Sequence, residues 1–397
     1  MKHKRKSDAN QCRTEYCIST EEQDGLRAGR VARRVVLALA FLTLATLLVS
    51  ELSSTPRMVK ADFFQAREGY RFAFPRDLRP RHGYRTSWWY YTGHLIAPEK
   101  SAESAKDASL FRRLLNPQSQ RYGYQFTIFK IENEAHPSGD SRPGRVFDMA
   151  HLALSDAAGR KYYFTERLQR HFPGIAGYDE KTQTVYVENN TLHIDNSGRL
   201  HRIRMRAKDF QLDLDLRSEL GPLVHGENSI SRKGFASDSA SHYISIVDLS
   251  GSARLKIGSQ PAQTLEAKSW MDIEFGSNVL SQTQTGWDWL HVTLENNERY
   301  MVFRVRDSEG QDFYSASYID PRGRIQPLPR TAIRMQPGRS WKSPRTSAAY
   351  PVEWRIELHD VVRQTPLRLT PWLVRRLTEG YEIAHFRFGK APSGPKQ

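Results

Sequence analysis

Between Asp62 and Leu358 apolar and polar residues alternate with a period of two, again and again. Tyr124 to Ile128, Phe210 to Leu216, Ala253 to Ile257 and Val352 to Leu358 each put apolar side chains on one face and polar ones on the other. That is the pattern of half-buried antiparallel strands. Turn-forming clusters punctuate them, among them Asp156 to Gly159, Asp195 to Gly198, Asp307 to Gly310 and Asp320 to Gly323. Helical periodicity is nearly absent over the same span. Short strands with regular turns predict a sandwich or a barrel.

The order of elements also repeats. Trp89 to Leu95, Tyr124 to Ile131 and His151 to Arg160 run aromatic strand, aliphatic strand, small-residue strand, Asp-Gly turn. Trp287 to Val292, Tyr300 to Arg306 and Ser315 to Arg324 follow the same order. The repeat predicts a duplicated β-barrel unit, with its boundary in the stretch Gly221 to Ser241.

One segment breaks the pattern. Val35 to Ser50 is sixteen residues without a charge, preceded by Arg30, Arg33 and Arg34 and closed by Glu51. A helix of that length spans roughly 24 Å, short of the ~30 Å hydrocarbon core. It fits a signal-peptide core or a single membrane anchor, and Val59-Lys60-Ala61 has the small residues of a cleavage site. The positive flank places everything after Glu51 outside the cytoplasm. The expected location is the cell envelope, on the periplasmic side, either anchored in the inner membrane by this helix or secreted after cleavage.

Composition narrows the function classes. The chain has 397 residues and a net charge of +15, and only two cysteines, Cys12 and Cys17, both before the apolar run. The length suggests two domains. Two cysteines exclude a disulfide scaffold, and a mean hydropathy of −0.64 excludes a polytopic membrane protein. The positive charge is spread along the chain without a clustered basic stripe or a recognition module, so no nucleic-acid partner is expected. There is no His-Glu-x-x-His, no cysteine ligand set, no G-x-S-x-G, no Walker A and no G-x-G-x-x-G. No metal and no cofactor are expected.

The run Tyr84 to Leu95 (YRTSWWYYTGHL) resembles the EWWYYTGHL signature of the AttH and carotenoid 1,2-hydratase (CrtC) family. Similar segments follow in order. They include Tyr122 to Phe129, Ala150 to Asp156, Tyr163 to Leu168, Gly174 to Gly177, His225-Gly226, Lys233-Gly234, Trp270 to Gly276, Gly286 to Trp289 and Tyr350 to Trp354. The resemblance implies two consecutive lipocalin-like antiparallel β-barrel domains, all-β, preceded by the N-terminal hydrophobic helix. The expected divisions are a basic tail 1–34, the hydrophobic segment 35–52, barrels at 62–235 and 236–365, and a basic tail 366–397. Pro366 to Leu377 is expected to cap the second barrel with Trp372 and Leu373 buried. Some members of the family are encoded beside ABC-transporter components, which makes such components candidate partners, together with the membrane through the N-terminal helix.

The same segment carries a departure. Where the family commonly reads Trp-Met-Asp-His-Glu-Trp-Gly, this chain has Ile273 and Phe275 in place of the His and the Trp. In the hydratases that pair is implicated in catalysis. Ile cannot titrate and Phe has no indole N–H. Asp272 and Glu274 remain, and alternation points both to one face of their strand. Asp272, Glu274 and Asp288 are therefore the candidate acid–base groups. Trp88, Trp89, Tyr91, His94, His151, Trp287, Trp289 and Trp354 are the candidate ligand-binding residues, because an apolar ligand calls for aromatic walls with a few polar groups. Three readings stay open. One is an extracytoplasmic lipocalin-like binder that holds an apolar small molecule, a lipid or isoprenoid, in a barrel cavity. Another is a hydratase, isomerase or cyclase. The third is an accessory subunit of an export system.

Overall fold

The computed structural model describes residues 62–98, 121–133, 145–156, 158–159, 161–277, 280–294, 296–342, 347, 349–351, 353–359 and 366–369. The predicted N-terminal helix, the cleavage site and the capping residues Trp372 and Leu373 lie outside the described residues.

Thirteen strands join in one antiparallel sheet. In chain order they are β1 (Thr86–Ile96), β2 (Arg121–Glu132), β3 (Val146–Asp156), β4 (Lys161–Arg170), β5 (Ala176–Asp179), β6 (Thr184–Val187), β7 (Asn190–Ile194), β8 (Leu200–Arg206), β9 (Phe210–Arg217), β10 (Pro222–Val224), β11 (Ser231–Arg232), β12 (Ala240–Ile257) and β13 (Gln263–Gly276). The path runs β4-β3-β2-β1-β13-β12-β9-β8-β7-β6-β5, with β10 and β11 added against β12. The sheet curls into a nearly closed barrel. At its seam Gln169 of β4 donates to Glu188, beside β6, at 2.6 Å, and the Glu188 N–H donates to the Ile175 carbonyl at 2.7 Å. Its interior is filled by inward residues of every second position, including Trp89, Tyr91, Phe126, Ile128, Leu152, Leu214, Ile244, Met271 and Ile273. Each such side chain, fully buried, contributes about 1.5–3 kcal/mol.

The later strands form smaller sheets. β14 (Gln284–Thr293), β15 (Arg299–Asp307), β16 (Phe313–Ile319) and β17 (Ile325–Leu328) make a four-stranded meander. β18 (Ile333–Pro337) pairs β21 (Trp354–His359), which pairs β22 (Pro366–Leu369), while β19 (Ser340–Lys342) pairs β20 (Ala349–Pro351). Alternation along β15 explains the layering. Met301, Phe303 and Val305 pack on Tyr243, Val247 and Trp270 of the large sheet, whereas Tyr300 and Val302 pack on Met335, Trp354 and Ile356. The described residues show these sheets without a second closed barrel.

β12 carries the switch between cores. Its pairing with β13 slips by one residue between Ile246 and Leu249, and Asp248 sits at φ 53°. The extra residue exchanges the faces of the strand. Before it, Tyr243 and Val247 face the meander and Ile244 and Ile246 face the barrel interior; after it, Leu249, Ala253 and Leu255 face that interior.

The expectation of a membrane-spanning helix is corrected. Among the described residues no helix is long and apolar enough to cross a membrane, because this part of the chain folds almost wholly as strands. The membrane partnership through that helix is withdrawn with it, and the ABC-transporter partnership, for which neither the fold nor any contact speaks, is withdrawn as well.

Candidate functional site

The residues with unusual chemistry gather where β12 and β13 turn their outer face towards the meander. Cross-strand register sets Ser245 opposite Asp272 and Tyr243 opposite Glu274. On the other side of β13, β1 sets Tyr90 opposite Asp272 and Trp88 opposite Glu274. All these side chains belong to one face of the sheet, since alternation sends Ile244, Ile273 and Phe275 into the barrel interior.

Asp272 is the hub. Its carboxylate accepts from Ser245 Oγ at 2.5 Å and Trp270 Nε1 at 2.7 Å on one oxygen, and from the Tyr243 hydroxyl at 2.9 Å on the other. It is 4% exposed. Burial drives its pKa up from 3.8 to about 7; the three hydrogen bonds oppose that rise and the Glu274 charge adds to it. The group therefore exchanges its proton near neutrality, which is what a general acid or base needs.

A polar chain leads away from it. Ser245 gives its one hydroxyl proton to Asp272, so His225, 2.7 Å away through Nε2, is the donor to Ser245 Oγ. His225 Nδ1 then accepts from Ser317 Oγ at 3.0 Å. Burial, with the nearby Lys233 charge, holds His225 down at about 3, so it is neutral and this tautomer satisfies both nitrogens. His225 also stacks on Tyr243 with ring centres 4.5 Å apart. The tight loop after it depends on Gly226, at φ 88°, where a Cβ would lie 1.8 Å from the Ile230 carbonyl oxygen. Glu274 is held differently. It accepts from Ser241 at 2.6 Å and pairs with Lys233 at 3.1 Å, while the Lys233 ammonium lies over the Tyr243 and Phe303 rings.

Aromatic rings lie between Asp272 and the meander. Trp289 Nε1 donates to the Tyr243 hydroxyl at 3.0 Å, and its ring meets Tyr90 edge-on at 5.5 Å. His291 stacks on Trp270 at 4.6 Å. Tyr90, His94, Trp287, Trp289 and His291 are half-buried, whereas Trp270 is fully covered. Among the described residues β14 makes no strand pairing with β13 or β1.

The other candidate residues fall elsewhere. Trp89 and Tyr91 lie inside the barrel, Trp89 donating to the Leu78 carbonyl at 2.9 Å and the Tyr91 hydroxyl bonding His201 Nδ1 at 2.6 Å. Trp88 is on the outer face against Phe129, and His151, on the same face of β3, meets Phe129 and bonds Glu166 at 2.9 Å. His94 is opposite Lys268 on the site's face of β1. Trp354 is buried between the meander and the third sheet. Asp288 points away from Asp272, paired with Arg306 and, at 3.8 Å, with Arg304. Burial raises its pKa and the two arginines oppose that.

Tyr243, Ser245, His225, Trp270, Tyr90 and His291 complete the site without having been singled out as site residues. One signal existed for two of them. Ser241, Tyr243 and Ser245 form a polar stripe in a strand whose other face is Ile244 and Ile246.

A family model described as AttH-like matches residues 65–376. Among solved structures, an AttH protein from Nitrosomonas europaea is similar at 26% identity and a TM-score of 0.62, over 78% of this chain and 87% of that one. Kievitone hydratase from Nectria haematococca is similar at 12% identity and a TM-score of 0.51, over 75% of this chain and 80% of that one. At that identity the second likeness shows the fold alone. No curated protein matches the chain in sequence.

Proposed function

The chain belongs to the AttH-like family, and from that premise we propose that it binds an unsaturated apolar small molecule beside Asp272 and catalyses proton transfer to it. The observation that carries this reading is Asp272 itself, a buried carboxyl that titrates near neutrality next to aromatic rings. Protonated Asp272 gives its proton to one carbon of a double bond, and the resulting cation forms at the neighbouring carbon. The faces of Tyr90 and Trp289 stabilise that cation. Water then adds at the cationic carbon and loses a proton back to the Asp272 carboxylate, giving hydration; loss of a neighbouring C–H proton to the same carboxylate gives isomerisation instead. The relative that is named a hydratase is compatible with the first outcome. In this reading the second half is the partner barrel of a lipocalin-like pair, and the protein acts outside the cytoplasm.

The test is deuterium uptake. Unsaturated isoprenoids, farnesene and farnesol among them, are incubated with the protein in deuterium oxide, and label is read by mass spectrometry. Wild type incorporates label, and Asp272→Asn lowers the rate by about 10²–10⁴-fold, the usual worth of a general acid. Equal rates in the two proteins refute the assignment. A second reading, binding without turnover, is favoured by Ile273 and Phe275, which fill the opposite face with inert side chains. Bound probe with no label in wild type supports it.

A further inference from the structure

One polar atom of the site has no hydrogen-bond partner among the described residues. Nδ1 of His291 is buried and makes no hydrogen bond. Its ring lies flat on Trp270 at 4.6 Å and beside Trp289 at 5.5 Å. The N–H groups of both indoles are already committed, Trp270 to Asp272 and Trp289 to Tyr243. A water at Nδ1 would therefore find neither indole N–H free among the two to four polar partners it needs. A buried nitrogen left unbonded is costly, so the position calls for a partner that arrives with the ligand.

Resting on the reading above, we propose that His291 is a specificity-determining residue, whose Nδ1 hydrogen-bonds a hydroxyl on the apolar ligand and selects an alcohol over the matching hydrocarbon. The ligand then spans these aromatic rings, with its double bond at Asp272 and its hydroxyl at His291. A hydroxyl both donates and accepts, so the contact forms with either tautomer of a neutral imidazole. The ring is neutral at physiological pH, because burial, with the His94 charge, holds its pKa down at about 3. His94 stands across from it on β1, opposite Lys268, whose own pKa burial lowers.

Calorimetric titration of the full chain with farnesol and with farnesene tests this. Wild type is expected to bind the alcohol about tenfold more tightly, the worth of one good hydrogen bond. His291→Phe keeps the stack on Trp270 and brings the ratio close to one. His291→Gln, which retains a polar group, keeps part of the preference. Equal binding of the two probes by wild type, or a preference that survives in His291→Phe, overturns the assignment while leaving the apolar-ligand reading standing. Failure of both probes to bind overturns that reading and this one together.

Discussion

Replacing Asp272 by Asn makes the protein's stability respond to pH in a way that isolates this one carboxyl. In the folded state the pKa of Asp272 rises from 3.8 to about 7. An acid whose folded pKa is raised disfavours folding once it is ionised. Its contribution is intact below pH 3.8, declines as pH rises, and is fully lost above about pH 7. A shift of about three units at 1.36 kcal/mol each is worth ~4 kcal/mol at most. Asn cannot ionise, so the variant escapes that loss. At pH 4 Asp272 is a neutral acid whose hydroxyl can both donate and accept, whereas Asn turns an NH2 group that only donates towards the donors Ser245, Trp270 and Tyr243, so the variant is the less stable protein. By pH 8 the gap closes or reverses. Thermal unfolding of both proteins by circular dichroism at pH 4 to 8 measures the difference, and groups common to both cancel. At about 2–4 °C per kcal/mol the difference in Tm moves by several degrees across that range. Two curves that stay parallel from pH 4 to 8 refute the raised pKa, and with it the assignment of Asp272 as the titrating group.

Gly226→Ala is expected to destabilise by about 1–3 kcal/mol or more, since the backbone is left-handed there and the new Cβ meets the Ile230 carbonyl; a lower denaturation midpoint, with weaker protection of the His225 amide in hydrogen exchange, checks it. Asp288→Asn takes the carboxylate from Arg306 and the more distant one from Arg304, which keeps Asp312, and costs about 1–3 kcal/mol, less than a fully buried pair because both arginines reach solvent. Urea unfolding measures that loss, while deuterium uptake in the same variant stays at the wild-type rate.

Much of this molecule follows from local chemistry. Alternation within a single strand already separates Asp272 and Glu274 from Ile273 and Phe275, because successive side chains of an extended chain point to opposite faces wherever the strand is placed. The same rule parts Trp289 from Asp288, and it makes the barrel strands legible as strands. Which partner each face meets is a different matter, since it depends on register and closure over long separations. Nothing local to Asp272 announces that β12 brings Ser245 and Tyr243 to it, or that the loop at Gly226 brings His225 to the far side of Ser245. The slip near Asp248 decides which core each half of β12 serves, and no periodicity marks it. His291 is one histidine in an alternating strand, unremarkable until Trp270 from another sheet lies beneath its ring. The pKa of Asp272 is the clearest case. Residue type sets its starting value, and only the packing of the meander over β12 and β13 removes the water that would have kept it there.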